Sequence, residues 1–590
     1  MASFVRYSPP HFALWRGPEL AVVAVLTALC LALPTHNPTG DAWYYAACAR
    51  WGHELWQPHH LLYNGVGWLW LRLVHATGPA PAGNAALPWL QALNSLAYGG
   101  CLLLLGPLLR RAGARPAAVP AWLLAVGSTF GMLRFAVENE AYIQPLLAAL
   151  GASLAWAQAL GRAPFGRAAT LDRAPLESAK ILPDIFGNQY SSSRWGWLPL
   201  AGLLAALACL LHQMLVWWWL GLLLGLQPWR SRLALGAALA YVAPALLVPL
   251  AYWLAAPPGG GPLGVVRFAL HDYLTGGARV GLGGRGWLLT PINLVRTLGQ
   301  VHGNLLPLLH RWPLPLGAAA AGSLALATWA MVGARPQPRS TQAASSSYKT
   351  DNQKYELATA GPVDASAWAA AGRVRRTHGL IAALQLGFAV LSAGNAEFMV
   401  MLPALAALAL AGGLRAWPAR RVAVLGVALL LWNLAAGLVP AHLLAFTAAG
   451  PALRAAVRRQ PAAWFILLDP NPLRNQLHYY TGQSAAPARV LGLVGQDSAR
   501  FRAWLRRRLA SGAAVYTDAL GGPRPLDRAR LTLGDPAAPL LGGFGARRVA
   551  VLPTFLGPYY LSKLALPAAQ QRRSQPRARA RAPVNTGAAR

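Results

Sequence analysis

The stretch from Leu87 to Arg111, LPWLQALNSLAYGGCLLLLGPLLRR, decides the class of this chain. From Leu87 to Leu109 it carries no charge, and it ends on Arg110 and Arg111 with Arg115 just beyond. As a helix it covers the roughly 30 Å of a bilayer's hydrocarbon. The arginines mark its cytoplasmic end, because basic residues gather on that side of a membrane. Similar runs of about 16–25 residues, the length a span needs, recur through most of the chain. The residues A, V, I, L, M, F, W, Y and C make up 55% of it and charged residues only 12%, against about 25% charged in an ordinary soluble domain. A soluble chain of 590 residues would show several domains of half-polar, periodic elements. The reading is a polytopic membrane protein.

Working outward, the run Ala21–Pro34 follows Arg6 and Arg16, which puts the N-terminus in the cytoplasm. No small-residue cleavage site follows it, so it reads as a retained first span rather than a signal peptide. Residues 35–88 then form a long first outer loop, with Leu61–Val74, marked by Trp68 and Trp70, lying along the interface. Val119–Val137 goes out and Ala141–Leu160 returns to a basic loop. Leu198–Leu226 is too long for one span and breaks at Leu211-His212-Gln213, so it reads as a hairpin of two short helices. Leu233–Ala255 leads to the Gly-rich outer loop Pro257–Trp312, with an amphipathic helix near Pro291–Leu309. Leu314–Val332 returns to residues 334–376, a Ser/Gln/Lys-rich cytoplasmic loop read as disordered. Gly379–Ser392, Phe398–Leu414 and Val422–Phe446 complete the alternation.

The expected fold is an all-α polytopic domain over residues 1–449, with about ten or eleven spans, followed by a small extracytoplasmic α/β domain over 450–566. Apolar β-type runs at Trp464–Leu468, Arg489–Val494, Ala513–Thr517 and Val549–Leu552, separated by helical patterns such as Ser498–Ala510, imply a mostly parallel sheet. Residues 567–590 read as a basic, disordered tail.

The net charge of +34 does not indicate nucleic acid. Most Lys and Arg lie in short clusters between apolar runs, where anionic lipid headgroups are their partners. Cys30, Cys48, Cys101 and Cys209 show neither metal-ligand spacing nor a disulfide framework.

The chain has only 18 acidic residues, so their placement carries information. Asp41, Glu54, Glu138, Glu140, Asp272 and Glu397 all map to the outer face, and the last four sit beside span ends. Ionisable groups near membrane depth are costly and tend to be functional.

The sequence Gly40-Asp41-Ala42-Trp43-Tyr44-Tyr45, then Pro58-His59-His60-Leu61-Leu62-Tyr63, resembles the GT-C glycosyltransferases. It is most similar to the protein O-mannosyltransferase-like and aminoarabinose-transferase-like branches. The likeness in layout extends to the long first outer loop, an acid after the third span and an outer soluble domain. His60-Leu61 stands where many members have a Pro-Pro pair, and Asp41-Ala42 where they have Asp-Glu. The resemblance implies transfer of a sugar from a polyprenyl-phosphate donor to an acceptor hydroxyl in protein, lipid or glycan. Asp41 is then the expected general base. Glu138 and Glu140 are a second carboxylate pair that orients the acceptor or binds a divalent cation, the one cofactor under consideration. Tyr44, Tyr45, His59, His60 and Tyr63 are the expected substrate-binding residues. Arg267, Arg279, Arg285 and Arg296, in the Gly-rich outer loop, are the candidates for stabilising the departing phosphate.

His212, between two apolar half-helices, reads as a satisfied core histidine, and His53, His271 and His302 show no zinc-like pairing. The alternative function is a transporter or flippase of a lipid-linked or envelope-precursor substrate. It predicts repeated halves with sites near the midplane, and no internal repeat is legible. The domain from 450 carries no Gly-rich phosphate loop or catalytic triad, so acceptor binding or structural support is its expected role.

Overall fold

The computed structural model describes residues 15–78, 85–160, 196–275, 281, 283–301, 304–332, 365–412, 418–446, 449–483, 489–493, 495–520, 537–555 and 557–566. The described chain divides into two compact units, Met1–Pro38 with Cys48–Leu443, and Thr39–Ala47 with Leu444–Arg590. The tail 567–590 and Arg279 lie outside the described residues.

The first unit is helical. Its elements begin with α1 (Gly17–Ala32), the shared helix α2 (Gly40–Trp51), α3 (Tyr63–Thr77), α4 (Ala86–Arg111), α5 (Val119–Gly127), α6 (Phe130–Ala136) and α7 (Ile143–Ala159). There follow α8 (Trp197–Leu211), α9 (Val216–Gly225), α10 (Arg232–Ala255), α11 (Gly261–Ala269), α12 (His271–Thr275), α13 (Gly284–Leu298), α14 (Leu305–Arg311), α15 (Pro313–Val332), α16 (Ala365–Leu391), α17 (Leu402–Leu410) and α18 (Ala419–Leu443).

Among the described residues, α4, α10, α15 and α18 are each long and apolar enough to cross a membrane. The segment Pro116–Gly127 and α6 pass the same test together but are bent by 69° at their junction, giving up to five spans. Gly17–Ala32, Trp197–Leu211, Gln213–Gly225 and Ala396–Leu410 are apolar but shorter. These helices make the chain an integral membrane protein. The expected break at His212 is present: α8 ends at Leu211 and a short 3₁₀ turn, Gln213–Leu215, leads into α9.

Lipid and apolar side chains are equally greasy, so close packing, rather than hydrophobic exclusion, joins such helices. Accordingly, a Cβ at Gly202 on α8 would collide with the Tyr241 carbonyl of α10. The shared core draws buried residues from α1 (Leu26), α4 (Leu102, Leu105), α7 (Leu146, Trp156), α9 (Trp218, Leu222) and α17 (Leu405, Leu408).

Two expectations change here. Residues 365–376, assigned to the disordered loop, form the start of α16. Their Ala-rich opening (Ala365-Ser-Ala-Trp-Ala-Ala-Ala) has high intrinsic helix propensity, and Arg375 donates to the Ala112 carbonyl at 2.9 Å. The amphipathic helix near Pro291–Leu309 is two helices, because α13 stops at Leu298 before Gly299, whose extended φ of −136° and ψ of 148° break the helical path.

The second unit comprises α19 (Ala449–Arg459), β1 (Trp464–Leu467), α20 (Asn471–Thr481), β2 (Val490–Gly492), α21 (Ser498–Ala510), β3 (Val515–Thr517), α22 (Ala537–Leu541), β4 (Gly545–Leu552) and β5 (Tyr559–Ala565). The strand order is β2-β1-β3-β5-β4. The pairings of β1 with β2 and β3 are parallel, whereas β3–β5 and β4–β5 are antiparallel. The sheet is therefore mixed, not mostly parallel. The short connection 553–558 permits only a hairpin, since a parallel return needs a crossover of about a dozen residues or more. The central strands are buried, as strands covered on both faces are. Edge strand β4 is largely exposed and carries Arg547 and Arg548, charges that discourage edge-to-edge association. Asp497 caps α21 by accepting from the Arg500 N–H at 2.8 Å, and Gly482, at φ 77°, closes α20 in the left-handed conformation that glycine adopts without strain.

Candidate active site

In the first unit the bend between α5 and α6 and the turn after α6 bring acids to one place. Arg134 stands on α6, one helical turn before Glu138, and its Nε lies 3.4 Å from Glu138 Oε2. Glu138, Asn139 and Glu140 are buried, at 3%, 2% and 5% exposure. Glu138, Glu397 and Glu140 all act electrostatically on the Arg134 guanidinium. Glu397 arrives from the short turn Ala396–Met399 ahead of α17, and the Tyr142 hydroxyl donates to its Oε2 at 3.0 Å.

The segment 57–63 meets this group from the other side. The Tyr63 hydroxyl donates to Asn139 Oδ1 at 2.9 Å. His60 lies edge-to-face against His59 and against His212, with ring centroids 4.2 Å apart in each pair. His212 in turn lies 5.2 Å from the Tyr142 ring. Its Nδ1 accepts from the Met214 N–H at 3.3 Å, while its buried Nε2 has no partner among the described residues. His212 is thus half-satisfied rather than a fully bonded core histidine. Burial, then His212 and His59, hold His60 well below the usual histidine range, so its imidazole is neutral at neutral pH.

Asp272 on α12 pairs with His59 Nδ1. The hydrogen bond from His59 holds the Asp272 carboxyl below its ordinary value. Gln213 ties the same elements together, its Nε2 donating to the carbonyls of Pro58 (2.9 Å) and Ala269 (2.8 Å).

Of the outer-loop arginines, Arg267 and Arg296 have described side chains. Arg267 is exposed on α11, and Arg285 falls in the first turn of α13. Arg296 is half-buried on α13, its Nη1 donating to Asn293 Oδ1 at 2.7 Å.

Asp41, Tyr44 and Tyr45 belong to the second unit. Asp41 lies in the first turn of α2 and is exposed, and Tyr45 is buried. The Tyr44 ring stands 5.9 Å from Tyr45 and 6.3 Å from His478 of α20. Trp43 packs edge-on against Tyr479 at 5.0 Å, and Asn475 donates to the Gly40 carbonyl at 2.9 Å.

Arg134 engages Glu138, and among the described residues no group of three or more His, Cys, Asp or Glu side chains is arranged to hold an ion. Arg134, Asn94, Asn139 and Tyr142 escaped the sequence reading. Arg134 had a signal: an arginine inside an apolar run, four residues before an acid.

No protein-family model matches the chain, and no curated protein matches it. The chain is similar to the structure of ArnT from Cupriavidus metallidurans bound to undecaprenyl phosphate, at 13% identity over 92% of this chain and 97% of that one, with a TM-score of 0.44. It is also similar to the oligosaccharyltransferase AglB from Archaeoglobus fulgidus in complex with an inhibitory peptide and a dolichol-phosphate, at 11% identity over 92% of this chain and 74% of that one, with a TM-score of 0.45. A further structure of the Archaeoglobus fulgidus enzyme, in complex with Zn and sulfate, matches at 12% identity over 91% of this chain and 72% of that one, with a TM-score of 0.38.

Proposed function

We propose that this chain is a membrane glycosyltransferase that moves a sugar from a polyprenyl-phosphate donor to an acceptor hydroxyl at the outer face. In this reading about ten or eleven spans cross the bilayer, and the C-terminal α/β domain is extracytoplasmic. The observation that carries it is the buried turn holding Glu138 and Glu140 against Arg134 and Glu397. Burying two acids beside one guanidinium, with the half-buried Glu397 acting on it too, is costly, which is the expense expected of a site and not of packing.

In the proposed reaction the acceptor oxygen attacks the anomeric carbon of the sugar. The bond from that carbon to the phosphate oxygen breaks, and the polyprenyl phosphate leaves with the electron pair. The carboxylate of Asp41, an exposed residue, takes the acceptor's proton. Glu138 and Glu140 orient the acceptor, and Tyr44, Tyr45, His59, His60 and Tyr63 bind substrate. Arg267, Arg279, Arg285 and Arg296 supply candidates for the phosphate. The donor class is the kind of lipid phosphate bound in two of the similar structures.

The test is transfer from a panel of radiolabelled polyprenyl-phosphate sugars by the purified protein in nanodiscs. Asp41→Asn keeps size and hydrogen-bonding reach but removes basicity, so transfer falls by about 10²–10⁴. Glu54→Gln, in the same outer loop, serves as the control and changes little. Retention of more than about a tenth of parental transfer by Asp41→Asn, far outside that range, removes Asp41 as the base.

A further inference from the structure

One face of the apolar helix α4 is polar. Gln91, Asn94, Ser95 and Tyr98 recur at helical spacing and are each 3% exposed or less. Each side chain donates to a backbone carbonyl of another segment. Gln91 Nε2 reaches the Thr35 carbonyl at 3.0 Å, and the Ser95 hydroxyl reaches that of Ala136 at 2.8 Å. The Tyr98 hydroxyl takes the Gly127 carbonyl at 2.9 Å. The break between α5 and α6 and the end of α6 leave such carbonyls without helical partners, and hydrocarbon offers no water to satisfy them.

Asn94 differs from its neighbours in what it holds. Its Nδ2 donates to the carbonyl of Glu138 at 2.6 Å and to that of Glu140 at 2.9 Å. Gln144 Nε2 donates to Asn94 Oδ1 at 2.9 Å, which fixes the amide with its donors toward the turn. Asn94 is fully buried, at 0% exposure. One side chain therefore grips both residues whose carboxylates the proposed reaction uses.

We infer that Asn94 is a positioning residue that sets the turn Glu138-Asn139-Glu140 and so aims the two carboxylates. The inference rests on the glycosyltransferase reading for its effect on turnover, but not for the placement of the acids. Ser95 and Tyr98 hold carbonyls of residues that carry no acid, so their role is stability alone.

Asn94→Asp keeps the volume and removes the amide donor, and Asn94→Ala serves if the aspartate variant does not fold. Ser95→Ala and Tyr98→Phe are the comparison. Two measurements are made on the full chain in nanodiscs: kcat and KM for the lipid-linked donor, and labelling of Glu138 and Glu140 by a hydrophobic carbodiimide, mapped by mass spectrometry. Misplacement of a reacting group by about 1 Å costs on the order of a hundredfold in rate. The Asn94 variants are expected to lose kcat on that order with KM unchanged, and to label more heavily at both acids. Ser95→Ala and Tyr98→Phe are expected to lower the melting midpoint while kcat per folded protein and labelling stay parental. Parental labelling in a folded Asn94 variant, or a kcat loss matched by Ser95→Ala, overturns the inference. A parent that transfers no sugar overturns the glycosyltransferase reading instead, and the labelling alone then decides the role of Asn94.

Discussion

Removing Arg134 tests whether the buried acids are organised around a single counter-charge. Its Nε stands 3.4 Å from Glu138 Oε2, with the two side chains 22% and 4% exposed. At that distance and an effective dielectric constant of about 20, the attraction is about 5 kcal/mol. Breaking a buried pair by deleting one partner costs about 3–5 kcal/mol, because the survivor is left uncompensated. Arg134→Met keeps most of the apolar stem of the side chain and leaves Glu138, Glu140 and Glu397 without the charge that acts on all three. At about 2 °C per kcal/mol, the low end for large domains, the melting midpoint of the purified protein falls by about 6–10 °C. The decisive result is a reversal of sign. Glu138→Gln lowers the midpoint in the parent, where it removes a partner of Arg134, but raises it in Arg134→Met, where it relieves repulsion. If Glu138→Gln lowers the midpoint equally in both backgrounds, the two side chains are not coupled and the site has been misread.

Topology is tested by single cysteines at 350, 270 and 520 in a chain whose native cysteines are replaced. Position 350 is expected to label from the cytoplasmic side and the other two from outside; labelling of 520 only after permeabilisation refutes the outer placement of the second unit. If the outer-loop arginines bind the donor phosphate, alanine at the right one of Arg267, Arg279, Arg285 and Arg296 raises the donor KM about ten- to a hundredfold, the worth of one charge-assisted contact. Parental kinetics in all four variants remove that loop from the site. The C-terminal unit has a built-in alkaline limit. Burial, with Asp518 alongside, pushes the Tyr559 hydroxyl well above its ordinary value of 10.0. Its contribution is therefore complete below about pH 10 and is lost as pH rises toward the folded value. Tyr559→Phe is expected to flatten the fall in the midpoint above about pH 10, and an unchanged slope refutes it.

Much of the scaffold was legible in one dimension. The length of Leu87–Leu109 and the arginines after it specify a span because hydrocarbon thickness and charge desolvation act on local sequence alone. The break at His212 was legible for the same reason, and so were β1 and β3, whose apolar runs nearly coincide with the observed strands. The partner of β3 was not. Strand β5 pairs antiparallel with it through Thr517 and Ser562, and pairing between distant segments follows from which surfaces remain uncovered once the hairpin forms. The suspect acids Glu138 and Glu140 could be named from their scarcity and position. What surrounds them was decided by tertiary structure: Arg134, Glu397, Tyr63 and Asn94 come from separate helices and turns. Each of these groups has an ordinary local explanation in the linear chain. Only packing the helices places one half-buried guanidinium near three acids, because electrostatic energy depends on separation in space and not along the chain.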